Sequence, residues 1–330
     1  MSVFKDKTIL ITGGTGSFGK NFAKFLLKDR ELKKVIIFSR DEFKQYEMRK
    51  EISDPRIRFF IGDIRDLPRL QRAFQGVDIV VHAAALKQVP TLEYNPFEAV
   101  KTNIIGSQNV IDAAIDQGVS KTLLISSDKA VQPINLYGAT KLAAEKLFIA
   151  ANSYTPLTKR SIFSSVRYGN VMGSRGSIVE TLLKNKDAKK VFITHPDMTR
   201  FWLTLLESFR LVSFALEHMN GGEIIVPKIP SMKITELFDA LVPRAKKVVT
   251  GIRPGEKIHE TLLTEHEARN TVLVGSYFVI LPEFSSKDQL FEHYYKMGAK
   301  LDSHVPFASD NNNVWLTKKE LKSKIKPTLL

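Results

Sequence analysis

The sequence predicts an α/β protein, a doubly wound and mostly parallel sheet with a smaller mixed domain attached. Three observations carry this expectation. Short apolar runs alternate with helical stretches through the first half of the chain, the pattern of repeated strand–helix units. A glycine-rich turn directly follows the first run, where such folds receive phosphate groups. At 330 residues and 43% hydrophobic content, the chain can bury a large core as one large or two unequal domains.

Residues 8–12 (TILIT) read as the first strand, residues 13–19 (GGTGSFG) as the turn, and residues 21–28 as a helix with Phe22, Phe25 and Leu26 on its apolar face. Strands two to five fall at residues 35–38, 59–61, 79–83 and 123–125, separated by helical segments at 41–52, 67–74 and 99–117. Residues 164–167 and 223–226 read as a sixth and a seventh strand. The second half is less regular, without an internal repeat or a low-complexity linker. Its small domain is therefore expected to be assembled from insertions. The boundaries expected are 1–170 with 198–228 for the sheet domain, and 171–197 with 229–330 for the other.

Composition narrows the function classes. No apolar run approaches the roughly 18 residues of a membrane span, and the N-terminal apolar stretch is too short for a signal-peptide core. Zero cysteines exclude disulfides and thiolate metal ligands, and fit a reducing, cytoplasmic setting. A net charge of +14 would attract nucleic acid or an anionic membrane. The basic residues are scattered, however, and cluster only at 184–190, at Arg244, Lys246 and Lys247, and at 318–326. None of these clusters is interleaved with aromatics. They read as solvated surface, with a minority facing an anionic small molecule, so neither a nucleic acid, a membrane nor a metal is expected as partner.

The stretch at 123–146 concentrates the chemistry. Ser126, Ser127, Asp128 and Lys129 follow a buried strand, a loop carries Pro133 and Asn135, and a helix begins near Tyr137. Tyr137 and Lys141 are four residues apart and share a helix face. Proton-handling groups thus meet at the carboxyl end of a strand, where open α/β sheets bind ligands.

Three glycines, Gly13, Gly16 and Gly19, place backbone amides against a pyrophosphate on a helix N-terminus, with Thr15, Ser17 and Phe18 between them. Their G-x-x-G-x-x-G spacing differs from the familiar dinucleotide fingerprint. An acidic residue ending the second strand would favour NAD; here Ser39-Arg40 stands there, followed by Asp41 and Lys44, which favours NADP. Asp41 is also suited to capping a helix. Asp63 and Ile64 are placed to meet the adenine, and Ala83 and Ala84 allow close approach to the cofactor. His82 reads as a packed histidine, and Lys87 as reaching substrate phosphate or hydroxyls.

TGGTGSFG, the strand-end Ser-Ser-Asp-Lys and Tyr-Gly-Ala-Thr-Lys together resemble the extended short-chain dehydrogenase/reductases. Almost the whole chain is covered. The resemblance implies a Rossmann-type domain in which the tyrosine is the acid/base for hydride transfer and the lysine lowers its pKa and holds the nicotinamide ribose. A narrower resemblance is to the inverting UDP-N-acetylglucosamine 4,6-dehydratases, which carry Asp-Lys where other 4,6-dehydratases carry Asp-Glu. It is carried by HAAALKQVP, SSDKAVQPINLYGATKL, VRYGNVMGSRGS, DMTRFW, VPKIPSMKI, GIRPGEKIHE and Asn-Asn-Asn-x-Trp-Leu at 311–316.

This second resemblance implies the opening step of pseudaminic acid biosynthesis, run on tightly bound, recycled NADP. Tyr137 would deprotonate the C4 hydroxyl as hydride leaves C4, and a neutral Lys129 would remove the C5 proton. Protonated Asp128 would assist loss of the C6 hydroxyl, and hydride would return to C6, with Ser127 and Lys141 completing the catalytic set. Asn170, Arg175, Arg200, Arg253 and Glu256 would join Lys87 in holding the UDP-sugar. The resemblance implies a homo-oligomer as well, with a hexamer as the expected size. Two alternatives stay open: a UDP-sugar 4-epimerase, which needs Tyr137 and Lys141 but not Asp128-Lys129, and a non-catalytic NADP-binding sensor.

Overall fold

Residues Thr8–Thr12 (β1) are buried at all five positions, because parallel neighbours flank the strand and helices cover both faces of the sheet. The computed structural model describes residues 2–155, 161–283, 287–301 and 305–325. The further parallel strands are β2 (Lys34–Ser39), β3 (Ile57–Ile61), β4 (Ile79–His82), β5 (Lys121–Ile125), β6 (Ile162–Val166) and a seventh at Ile224–Pro227. Their order, β3-β2-β1-β4-β5-β6 and then Ile224–Pro227, is that of a doubly wound fold whose switch point lies between β1 and β4. In register, Thr12 faces Phe38 of β2 and His82 of β4. The carboxyl ends of these strands are therefore level, and Gly13, Ser39 and Ala83 emerge along one edge.

Two cores sandwich the sheet. On one face Phe22 and Phe18, from helix Ser17–Leu26, pack with Phe209, from helix Leu205–His218. On the other, Leu70, Phe74, Val110, Phe148 and Phe163 come together. A third cluster, with Met172, Trp202, Met232, Leu237 and Phe238, belongs to the smaller unit. That unit holds a three-stranded sheet of Asn170–Val171, Thr199–Leu203 and Ser231–Lys233, and a two-stranded sheet of Lys190–Ile193 and Lys246–Val249.

Two expected boundaries need correcting. Residues 199–203 sit in the small sheet, paired with both of its other strands, and not in the large domain. Conversely, Tyr277–Ile280, Thr271–Val274 and Ala299–Lys300 extend the large sheet antiparallel from the edge of Ile224–Pro227. The reason is physical: that edge would otherwise expose unpaired backbone groups. The stretch expected as one helix over 99–117 is Pro96–Ala99, a π-helical turn Val100–Ile105 and helix Gly106–Gln117. Of the basic tail at 318–326, Lys326 lies outside the described residues. Among the described residues no helix is long and apolar enough to cross a membrane.

Arg167, just beyond β6, ties helix Leu136–Ala151 to the 262–267 segment. Its side chain is buried and donates to Glu145 Oε1 (3.2 Å) and Oε2 (2.7 Å), to Glu267 Oε1 (3.0 Å) and Oε2 (3.2 Å), and to the Leu262 carbonyl (3.0 Å). Removing one member of such a network strands a buried charge. Arg167→Met is therefore expected to cost about 3–5 kcal/mol, read as a lowered urea midpoint. Arg167→Met with Glu145→Leu should recover part of that loss, since the stranded carboxylate is gone.

Candidate active site

Helix Ser17–Leu26 begins at Gly16, and neither a capping side chain nor an acidic residue occupies its first turn. Its free amides and the helix dipole therefore face the cleft. Gly13 has φ +65°, and a Cβ there would lie 2.8 Å from the Ala84 backbone. A Cβ at Gly19 would lie 2.6 Å from Gly14 Cα, and one at Gly16 3.1 Å from the Gly13 carbonyl. The glycines let the turn, the helix and the 83–84 segment close around an open cradle. Among the described residues no side chain caps these amides, so the cradle fits a dinucleotide diphosphate. It forms part of a cleft of about 740 Å³ that Thr15, Ser17, Phe18, Ala83 and Ala84 also line.

At the end of β2, Gln45 Nε2 fixes the buried Ser39 by donating to its hydroxyl (3.0 Å) and carbonyl (3.1 Å). Arg40 is exposed and lies 3.5 Å from Asp63. Asp41 caps helix Glu42–Glu51 by accepting from the Lys44 amide (2.9 Å) and pairs with the Lys44 ammonium, so its carboxylate is engaged in its own helix. Asp63 accepts from the Arg65 amide (2.9 Å) and side chain (2.7 Å), and Ile64 is buried beneath it. Arg175 is anchored by its amide, which donates to Ser17 Oγ (3.0 Å). Arg40, Lys44 and Arg175 all line this end of the cleft.

The opposite end gathers the expected acid–base groups. Ser127 caps the turn Asp128–Ala130, and its hydroxyl donates to Asp128 Oδ1 (2.7 Å). Lys129 Nζ donates to the same oxygen (3.0 Å) and lies 3.5 Å from Glu260. Helix Leu136–Ala151, capped by Asn135, presses on this turn at Gly138, where a Cβ would sit 2.2 Å from the Lys129 carbonyl. Tyr137, Lys141, Ser127 and Lys129 line the cleft, whereas Asp128 is fully buried behind them.

Two electrostatic expectations are corrected here. Lys129 was expected to be neutral. Burial does oppose its charge, but Asp128 and Glu260 outweigh burial and hold the ammonium above the ordinary lysine range. Lys141 was expected to lower the Tyr137 pKa. Instead burial brings Lys141 itself down to about 8 against the pull of Glu145, and its Nζ donates to the Ile125 carbonyl (2.6 Å). Burial raises the Tyr137 hydroxyl, and the opposing cation is Lys129, aided by a hydrogen bond with Ser127.

Residues 9–282 match the family model described as "Polysaccharide biosynthesis protein". The chain belongs to that family, within the extended short-chain dehydrogenase/reductases. It is 49% identical over 325 residues to the "UDP-N-acetylglucosamine 4,6-dehydratase (inverting)" of Campylobacter jejuni, covering 97% of both chains. It is also 40% identical over 328 residues to the "UDP-glucose 4-epimerase" of Rickettsia canadensis, covering 97% of this chain and 95% of that one. Among solved structures it superposes with TM-score 0.90 on Pen from Bacillus thuringiensis, at 37% identity and 99% coverage of both chains.

Within this family member the six residues expected to hold substrate divide. Lys87, Asn170 and Arg175 line the cleft. Arg200 is buried, and its guanidinium donates to the carbonyls of Thr199 (2.7 Å), Ile258 (2.9 Å) and Lys257 (2.8 Å). It braces the floor of the site instead of offering a free phosphate clamp. Arg253 and Glu256 share an exposed turn beside the cleft, the Arg253 amide donating to Glu256 (3.3 Å). That turn is latched to the catalytic loop by Asn135, which donates to the Gly255 carbonyl (2.8 Å). Glu260 was not singled out from sequence, although it closes the GIRPGEKIHE stretch. Its role depends on a fold that carries residue 260 across to residue 129. Among the described residues no cluster suited to a metal ion occurs.

His82 is a packed residue, as expected. Ser107 donates to the Asn103 carbonyl (2.6 Å), so His82 Nε2 donates to Ser107 (3.1 Å) and Nδ1 accepts from Thr12 (2.7 Å). Burial, helped by the Lys141 charge, pushes this neutral ring down to about 3. The unfolded ring takes a proton near pH 6.5 and the folded ring does not. Stability should therefore fall by about 1.4 kcal/mol per pH unit as pH drops from 6.5 towards 3. Urea titrations of wild type and His82→Gln should differ by that slope.

Proposed function

We propose that this protein is a UDP-N-acetylglucosamine 4,6-dehydratase that inverts C5, using NADP that stays bound and is recycled. The observation that carries this reading is the Asp128–Lys129 pair, joined at 3.0 Å beside Tyr137. Moving a hydride at C4 needs only Tyr137 and its supporting lysine. Eliminating water across C5 and C6 needs an additional base and an additional acid, and this pair supplies both. The name and 49% identity of the Campylobacter relative support the same reading.

The cradle at Gly13, Gly16 and Gly19 would hold the NADP diphosphate, with Arg40 and Lys44 toward the 2′-phosphate. When bound, NADP accepts hydride from C4 and returns it to C6, which makes the reaction redox-neutral. Tyr137 takes the C4 hydroxyl proton, with Ser127 hydrogen-bonded to it and the Lys129 charge opposing the effect of burial on its pKa. A ketone at C4 acidifies C5, and Lys129 removes that proton. Asp128 supplies the proton on which the C6 hydroxyl departs as water, and as hydride arrives at C6 a proton from Tyr137 or Lys129 is delivered to C5 on the opposite face. Lys141 braces the end of β5 beneath Tyr137 and would meet the nicotinamide ribose. Lys87, Asn170 and Arg175 would contact the sugar diphosphate, and Arg253 and Glu256 the uridine end. The product would be UDP-2-acetamido-2,6-dideoxy-β-L-arabino-hexos-4-ulose, the first intermediate of pseudaminic acid biosynthesis. Exposed Tyr94, Phe97 and Ile105 supply apolar surface for a homo-oligomer.

The second reading, a UDP-sugar 4-epimerase, is favoured by the name of the Rickettsia relative and would use Tyr137 and Lys141 alone. Incubation with UDP-N-acetylglucosamine in D2O, followed by NMR, separates the two. A 4-keto-6-deoxy sugar of L-arabino configuration with deuterium at C5 is expected. A D-xylo product would remove inversion but keep dehydration, and a galacto product retaining its C6 hydroxyl would make this an epimerase. Absence of turnover with NADP+ supplied would leave a non-catalytic sensor. Arg40→Glu is expected to weaken NADP+ relative to NAD+ by at least about tenfold in Kd, as loss of one charge-assisted phosphate contact implies. Calorimetric titration of both dinucleotides checks this.

A further inference from the structure

Glu260 is buried among three cations. Its Oε1 lies 3.5 Å from Lys129 Nζ and 3.9 Å from Arg200 Nε, and its Oε2 lies 3.8 Å from Lys257 Nζ. Neither Glu260 Oε2 nor Asp128 Oδ2 has a hydrogen-bond partner among the described residues, although both atoms are buried. Lys129 thus has two carboxylates within ion-pair distance, Asp128 hydrogen-bonded at 3.0 Å and Glu260 at 3.5 Å. Glu260 is held rigidly: its amide donates to Ser309 Oγ (2.9 Å) and its carbonyl accepts from the Ser309 amide (2.7 Å).

We infer that Glu260 is the positioning residue that sets which member of the Asp128–Lys129 pair carries their shared proton. The inference rests on the dehydratase reading above and adds to it a carboxylate outside the residues that touch substrate. At rest the pair is ammonium and carboxylate, with Glu260 beside the ammonium. For elimination, an Nζ–H bond breaks and an Oδ1–H bond forms across the 3.0 Å contact, giving amine and carboxylic acid with no change in net charge. The amine then takes the C5 proton, and the acid gives its proton to the C6 hydroxyl, which departs as water. Ammonium and carboxylate are restored when the elimination ends. Glu260 stabilises the ammonium at both ends of this cycle and so fixes how readily the amine forms.

Other charged groups facing this centre oppose Glu260. Arg200, on strand Thr199–Leu203, lowers the Lys129 pKa. Lys257 lies on the same segment as Glu260, and Lys87 faces Lys129 across the cleft. Tyr137 feels Lys129 from helix Leu136–Ala151. His259 is turned to Thr199 Oγ1 at 2.8 Å. Without Glu260, Lys129, Arg200 and Lys257 would face one another with Asp128 as counter-charge.

Glu260→Gln tests this. Lys129 lines the cleft with 28% of its side chain exposed, so its protonation can be followed by acetylation with acetic anhydride across pH, read by mass spectrometry. The labelling midpoint of E260Q should fall by at least one pH unit, about a tenfold rise in reactivity at a fixed pH below the midpoint. The limb of the kcat–pH profile governed by Lys129 should move by the same amount, with KM within about twofold because Glu260 does not touch substrate. Glu260→Asp, which withdraws the charge without removing it, should shift both in the same direction by less; it also serves if E260Q does not fold. An unmoved Lys129 midpoint in a folded variant overturns the inference, even if wild type makes the keto sugar. Conversely, a shifted midpoint in a protein that makes no keto sugar supports the charge coupling and removes the dehydratase reading.

Discussion

Strands β1, β2, β4 and β5 end level with one another, and the site depends on that alignment. Thr12 registers with Phe38 and His82, and His82 registers with Leu124. Each strand consequently releases its chain at the same edge. β1 releases the glycine turn, β2 the Ser39-Arg40 pair, β4 the small Ala83 and Ala84, and β5 the Ser127-Asp128-Lys129 turn. A slip of one residue in any of these strands would turn its side chains to the other face and withdraw its contribution. The fully apolar interiors of β1 and β4, packed on both faces, make such a slip costly. Stability of the sheet and placement of the chemistry are thus one constraint.

The smaller unit completes the site by reaching back over that edge. Asn170 and Arg175 leave the sheet domain and form the far wall of the cleft. The 253–260 segment then returns a turn beside the catalytic loop and a carboxylate beneath it. Two latches hold the segment: Asn135 donates to the Gly255 carbonyl (2.8 Å), and Lys257 donates to the Val131 carbonyl (2.5 Å). Asn135 performs two tasks, since its Oδ1 also caps the helix that carries Tyr137 and Lys141. The turn expected to hold uridine is therefore tied mechanically to the helix expected to move protons.

Much of this was legible in the sequence. The seven parallel strands declared themselves as short apolar runs, and the glycine turn and Tyr137/Lys141 pair fell in the cleft because local spacing fixes them. What stayed hidden depended on contacts between distant segments. Arg200 reads from sequence as a free arginine, and only the fold shows its donors engaged by backbone carbonyls of residues 257 and 258. The two antiparallel strands at 271–280 returned to the large sheet because an open edge, invisible in a linear reading, needed covering. Lys129 looked like a candidate for neutrality because burial can be guessed from sequence, whereas the carboxylate 131 positions away cannot.

The charge state of Lys129 shows how magnitudes decide such a site. Desolvating one ion costs several kcal/mol, and Arg200 adds repulsion, so one carboxylate would leave the balance close. A unit charge at about 4 Å contributes ~4 kcal/mol at an effective dielectric near 20. Two carboxylates, at 3.0 and 3.5 Å, therefore exceed the opposing terms, whereas Asp128 alone would roughly match them. A lysine held this way works as a base only by first passing its proton to a neighbouring acceptor, because an ammonium cannot take a proton and a free amine has no acid beside it. The second carboxylate lets the resting ion pair persist in a buried place, and the hydrogen-bonded Asp128 offers the proton a short path out of it.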